Sequence, residues 1–139
     1  MKILLAVDGS SYTKKMLAYL AAHDLYSTKN EYTAFTAQMV LPTPARVALG
    51  KELVNKFYED EGQRVMAPVT KFLARHGITA KCIWKNGHAG ELISKLADAE
   101  KFDLVVMGSH GHGALVNLVV GSVATQVLAA CKVPVLIVR

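Results

Sequence analysis

Cysteine is scarce in this chain: only Cys82 and Cys131 occur, far apart in sequence. A small fold stapled by disulfides does not fit that usage, and both thiols read as small buried groups. Long apolar runs are also missing. Hydrophobic residues arrive in short blocks, none near the roughly twenty consecutive apolar residues that crossing a bilayer requires, so a soluble protein without membrane association is expected. The run Ile3 to Val7 after Lys2 has a passing likeness to a secretory signal, but Asp8 ends it too early, and the expected location is cytoplasmic. Basic clusters are absent as well. The formal net charge of +5 is scattered, with neither a run of Lys and Arg nor interleaved aromatic residues, so nucleic acid is not an expected partner. A diffuse attraction for small anions, nucleotides among them, is what the excess leaves.

What is present points to one domain covering residues 1–139, because 52% hydrophobic residues in a chain of this length supply a single continuous core. Short β-branched blocks alternate with segments of helical period, the pattern of a parallel sheet covered on both faces. The expected strands are Lys2 to Val7, Tyr32 to Val40, Ile78 to Trp84, Asp103 to Met107 and Pro134 to Val138. Leu17, Leu20, Ala21 and Leu25 mark a helix after the turn Gly9-Ser10-Ser11. Further helices are expected over Lys51 to His76, with Pro68 kinking or dividing it and Gly77 ending it, over Ala89 to Glu100, and over Val123 to Ala130. Pro42 and Pro44 argue for a loop from Pro42 to Gly50.

The segment richest in chemistry is Gly108-Ser109-His110-Gly111-His112-Gly113, directly after a strand, followed by Gly121-Ser122 at the start of a helix. Glycines there would permit positive φ and let backbone N–H groups approach an anion, and the helix start adds unpaired N–H groups at the positive end of its dipole. A turn that merely reverses the chain would also use glycine. Two phosphate-binding templates are excluded: the segment lacks the Gly-Lys-Ser/Thr ending of a P-loop, and its glycines do not follow the dinucleotide spacing.

Gly108, two residues, Gly111, nine residues, then Gly121-Ser122 resembles the nucleotide-binding signature of the universal stress proteins. The likeness extends to Ile3-Leu4-Leu5-Ala6-Val7-Asp8-Gly9-Ser10, to Asp103-Leu104-Val105-Val106-Met107-Gly108-Ser109 and to the closing Cys131 to Val138, while the middle from Pro42 to Gly77 matches only in kind. The resemblance implies an α/β fold, a single-domain three-layer sandwich of the adenine nucleotide alpha-hydrolase-like type, whose five-stranded parallel sheet has the order 3-2-1-4-5. It implies an adenine nucleotide, ATP, ADP or AMP, over the carboxyl ends of the first and fourth strands, with magnesium as a companion ion. Asp8 would bond the ribose, the backbone near Val40, or Met39 or Leu41 in its place, would meet the adenine edge, and Met107 and Gly108 would line the sugar. Gly111, Gly121, Ser122 and Val123 would hold phosphates, and Gly9, Ser10, His112 and Ala124 complete the expected set. His112 and Asn117 stand where similar sequences often carry Arg or Lys, which weakens the case for triphosphate. A homodimer joined through Pro134 to Val138, an unidentified protein partner and a role in stress response are implied too.

Simpler roles stand beside these. Asp8 could be a turn residue and Ser122 a helix cap. His110-x-His112 has no third ligand at metal-site spacing, so no metal is assigned. The favoured function is a nucleotide-dependent binding module without required catalysis. Its rivals are a slow ATPase, for which no catalytic base is evident, and a structural dimer module that binds no nucleotide.

Overall fold

The computed structural model describes residues 1–112 and 117–139. Its first strand, β1 (Lys2–Ala6), has no polar residue after Lys2, and it lies mid-sheet with side chains buried on both faces. β2 (Glu31–Gln38) pairs with it in parallel on one side, Ile3 opposite Tyr32, and β4 (Leu104–Gly108) on the other, Leu5 opposite Val106. β3 (Ala80–Asn86) extends the sheet beyond β2 and β5 (Val135–Val138) extends it beyond β4. The order is β3-β2-β1-β4-β5, all parallel, as the family resemblance implied.

The helices are α1 (Ser11–Ala22), α2 (Thr43–Leu49), α3 (Lys51–Arg75), α4 (Ala89–Ala99) and α5 (Ser122–Ala130). The period-two alternation of β1 divides the interior between them. Ile3, Leu5 and Val7 join Met16, Leu17 and Leu20 of α1 and Val65, Met66, Val69 and Leu73 of α3 in one core. Leu4 and Ala6 join Phe35, Ile93, Leu96 and Val127 in a second core, under α4 and α5. Among the described residues no helix is long and apolar enough to cross a membrane.

Three expectations need correction. Residues 43–49 are helical rather than loop. Pro42 is the extended N-cap and Pro44 sits in the first turn, where a missing N–H costs nothing, and Gly50 with φ of 79° ends the helix. Pro68 does not divide α3, which runs unbroken past it. The proline is on the exposed side, where water can meet the carbonyl it leaves unbonded, while Val65, Met66, Val69 and Leu73 hold the buried side on the sheet. Finally, β2 stops at Gln38 instead of Val40, and β3 runs from Ala80 to Asn86 rather than from Ile78. Tyr58 of α3 ends β2, its carbonyl accepting from Gln38 Nε2 (2.8 Å) and its hydroxyl from the Leu41 N–H (2.9 Å). Ile78 is still part of the α3 terminus: with Gly77 at φ of 71°, its N–H reaches back to the Leu73 carbonyl (3.0 Å).

Candidate ligand-binding site

In an open parallel sheet, ligands settle beyond the carboxyl ends of the strands where the winding direction changes. Here that point lies between β1 and β4, and a cavity of about 440 Å³ opens there. Its floor is Ala6, Val7 and Asp8 at the end of β1 with Met107 and Gly108 of β4. One wall is apolar: Phe35 and Ala37 of β2, Met39 beyond it, and Ala89 and Ile93 at the start of α4. The facing wall is the β4–α5 loop, with His110, Gly111, His112 and Leu118, leading to Gly121, Ser122, Val123 and Ala124 at the start of α5.

Asp8 is the polar anchor. Its Oδ1 accepts from the Ser10 N–H (2.9 Å) and from the Thr13 hydroxyl (2.9 Å), and the same hydroxyl accepts from the Asp8 N–H (3.0 Å). Its Oδ2 accepts from the His112 N–H (3.2 Å), which ties the loop to the end of β1. Burial acts to raise the carboxyl pKa, but the hydrogen bonds from Ser10 and Thr13 and the charge of His112 outweigh it and hold Asp8 below the ordinary carboxylate range. The Ser10 hydroxyl itself is buried and makes no well-directed hydrogen bond, although it lies close enough to favour the charged carboxylate.

The loop is held by its histidines and by close backbone packing. The His110 Nδ1 meets the Ser109 hydroxyl (3.0 Å) and its Nε2 the Leu118 carbonyl (2.7 Å), so the neutral Nε2–H tautomer satisfies both contacts. The His112 Nε2 donates to the Asp8 carbonyl (2.8 Å). The Gly121 N–H donates to the Ser109 carbonyl (2.6 Å), closing the loop onto the start of α5. Neither Gly111 nor Gly121 has a positive φ, so close approach rather than left-handed backbone is what requires glycine at these positions. A Cβ on Gly111 would run into the Asp8 carboxylate, and one on Gly121 would lie 3.1 Å from the Ser109 carbonyl oxygen. Gly121 is the N-cap of α5 and Ser122 its first helical residue, so the cap role open to Ser122 falls to the glycine. The N–H groups of Ser122, Val123 and Ala124 open the helix and have no acceptor within it.

Of the residues singled out in the sequence, Asp8, Met107, Gly108, Gly111, His112, Gly121, Ser122, Val123 and Ala124 all line this one cavity. Gly9, Ser10 and Val40 are not in its walls. Gly9, with φ of 77°, makes the turn after β1, and Ser10 orients Asp8. Val40 is exposed and outside the lining, and its neighbour Met39 lines the cavity instead. Among the lining residues that the sequence reading left out are Thr13, Ala89 and Ile93. A hydroxyl in the first turn after Asp8 could have signalled Thr13, but nothing local signals the other two, which are brought in by the packing of α4. Gly113 lies outside the described residues. Among those described, no three His, Cys, Asp or Glu side chains gather as a metal site would need.

The family model for the universal stress protein family matches residues 1–139, the entire chain. The chain belongs to that family. A universal stress protein of Thermus aquaticus is 30% identical over 99% of this chain and 97% of its own length. Universal stress protein Slr1230 of Synechocystis is also 30% identical over 99% of this chain, which spans only 42% of that longer relative. The solved structure of MJ0577, a universal stress protein of Methanocaldococcus jannaschii, superposes on this universal stress protein domain with a TM-score of 0.82 at 30% identity, covering 99% of this chain and 94% of the other. More distant structures share the fold: an Arabidopsis thaliana family protein with AMP bound (TM-score 0.70, 12% identity), a universal stress protein in complex with cAMP (0.64, 21%) and one from Archaeoglobus fulgidus in complex with dAMP (0.63, 17%), matched over at least 99% of this chain and 90% of the other. At those identities the likeness is one of fold.

Proposed function

We propose that this universal stress protein domain is a binding module for an adenine nucleotide, seated in the cavity between the end of β1 and the start of α5. The observation that carries the reading is the pairing of opposite polarities across one cavity. A charged carboxylate, Asp8, stands ready to accept hydrogen bonds from ribose hydroxyls, and across from it the free N–H groups of Ser122, Val123 and Ala124 suit a phosphate. The apolar wall of Phe35, Ala37, Met39 and Ile93 suits a flat base, and a cavity of about 440 Å³ is in the range of small-ligand sites. The bound AMP, cAMP and dAMP of the distant fold relatives agree with that choice of ligand. A magnesium ion accompanying a polyphosphate would rest mainly on the phosphates, since Asp8 is the one carboxylate among the described lining residues.

In this reading the protein acts by occupancy: nucleotide orders the loop after β4, and a second copy or another cytoplasmic protein in a stress response senses that state. The exposed edge of β5 suits a second copy. β3, at the opposite edge, carries Lys81 and Lys85, which discourage edge pairing, whereas Val135–Val138 is entirely apolar. Mass spectrometry of protein purified without added nucleotide, followed by calorimetric titration and a turnover assay with magnesium, tests the function. Bound or titratable adenine nucleotide with negligible turnover is expected; a folded protein that binds none removes the reading. Light scattering should find a dimer, and a chain that stays monomeric at high micromolar concentration defeats the β5 pairing.

A further inference from the structure

The charge of the cavity wall limits which nucleotide it can hold. Asp8 is the one permanently charged side chain among the described lining residues, and it is negative. From Gly108 to Ala124 the sequence holds no Lys or Arg, so residues 113–116 bring no cation either. The two imidazoles are already engaged, His110 between Ser109 and Leu118 and His112 with the Asp8 carbonyl. Lys15 lies over the Tyr12 ring, 5.0 Å from its centroid, and is not part of the wall. Apart from His112, whose interaction is already taken up by Asp8, the positive charge remaining at the described site is that of the α5 N-terminus, equivalent to roughly half an elementary charge. Its three free N–H groups match one phosphate, whereas a second and third phosphate would meet no fixed counter-charge. The overall charge of +5 draws all nucleotides from a distance but is screened at contact and does not discriminate among them.

Resting on the adenine-nucleotide reading above, we infer that this site selects adenine nucleotides with a single phosphate over those with three. The test is calorimetric titration of the full chain with adenosine, AMP and ATP, with and without Mg²⁺, at one ionic strength. AMP should bind about tenfold more tightly than adenosine and at least as tightly as ATP in either condition. His112→Arg, which puts a cation into the wall, should raise the ratio of ATP to AMP affinity about tenfold. An ATP affinity more than about threefold above that of AMP overturns the inference, as does an unchanged ratio in His112→Arg. Equal binding of adenosine and AMP overturns it by removing the helix terminus as the phosphate site. Failure of all three ligands to bind is a different result, which refutes the nucleotide reading itself.

Discussion

The two walls of the cavity are built on opposite plans. The β4–α5 wall is largely backbone: Gly111 packs against the Asp8 carboxylate, Gly121 against the Ser109 carbonyl, and the first turn of α5, whose N–H groups have no acceptor within the helix, lines the site. The wall beyond β2 is side chain, made by Phe35, Ala37 and Met39 with Ala89 and Ile93 of α4, and α2, which follows it in the chain, has no buried residue and no residue in the lining. Val47 is 78% exposed and Met39 87% exposed, so their identities are loosely constrained by the fold. A wall made of backbone permits almost no substitution where it closes on a neighbour. The exposed member of the side-chain wall, Met39, permits many, whereas Phe35 and Ile93 are held by the core they belong to.

That contrast is most directly broken at Gly111. Gly111→Val places side-chain atoms on the Asp8 carboxylate, and AMP affinity should fall at least about 100-fold while the circular dichroism spectrum stays native. Retained affinity in a folded variant would show that the loop is not a close-packed wall.

A smaller effect is expected at Asp8, where the two walls meet. Asp8→Asn keeps the size but loses the charge, and AMP affinity should fall about tenfold. The same variant carries a pH signature. The folded-state pKa of Asp8 lies below its ordinary value of 3.8, so the charged form is favoured by the fold. That stabilisation is complete above the ordinary value and is lost as pH falls through the lower, folded-state value. Urea denaturation should find a constant advantage of wild type over Asp8→Asn from about pH 5 to pH 8, shrinking below about pH 4. An advantage that did not change with acidity would mean that the carboxylate is not held charged by its neighbours.

The smallest effect belongs to α2, outside the lining of the cavity. Val47→Ser in α2 should alter stability by no more than about 0.5 kcal/mol and leave AMP affinity unchanged, measured by the same denaturation and titration. A larger loss would show that α2 is packed against something in solution.

The family signature spans both walls unequally, and this decides how much of the site was legible. Gly111, Gly121 and Ser122 could be picked out because backbone approach to an anion calls for small residues at set spacings, and Asp8 through the family resemblance of the segment around it. Ala89 and Ile93 could not, because an apolar side chain has the same appearance in sequence whether it faces a core or a ligand. The reading of Pro42 to Gly50 as loop failed for a related reason: proline excludes a strand interior and a helix interior, yet it suits the first turn of a helix, and Thr43–Leu49 uses that exception.

The local pattern of residues was sufficient for the alternation of strands and helices, for the burial of β1 on both faces and, through the resemblance its motifs carry, for the sheet order. These depend on periodicity and turn chemistry, which act over a few residues. The tertiary structure alone decided that His112, 104 residues from Asp8, donates to its carboxylate, that His110 turns both ring nitrogens into the loop, and that Ala89 and Ile93 of α4 face the same cavity as Ser122 of α5. Such contacts join segments distant along the chain, and they form only because β1 and β4 pair side by side, bringing two carboxyl ends, and the loops that follow them, to one edge of the sheet.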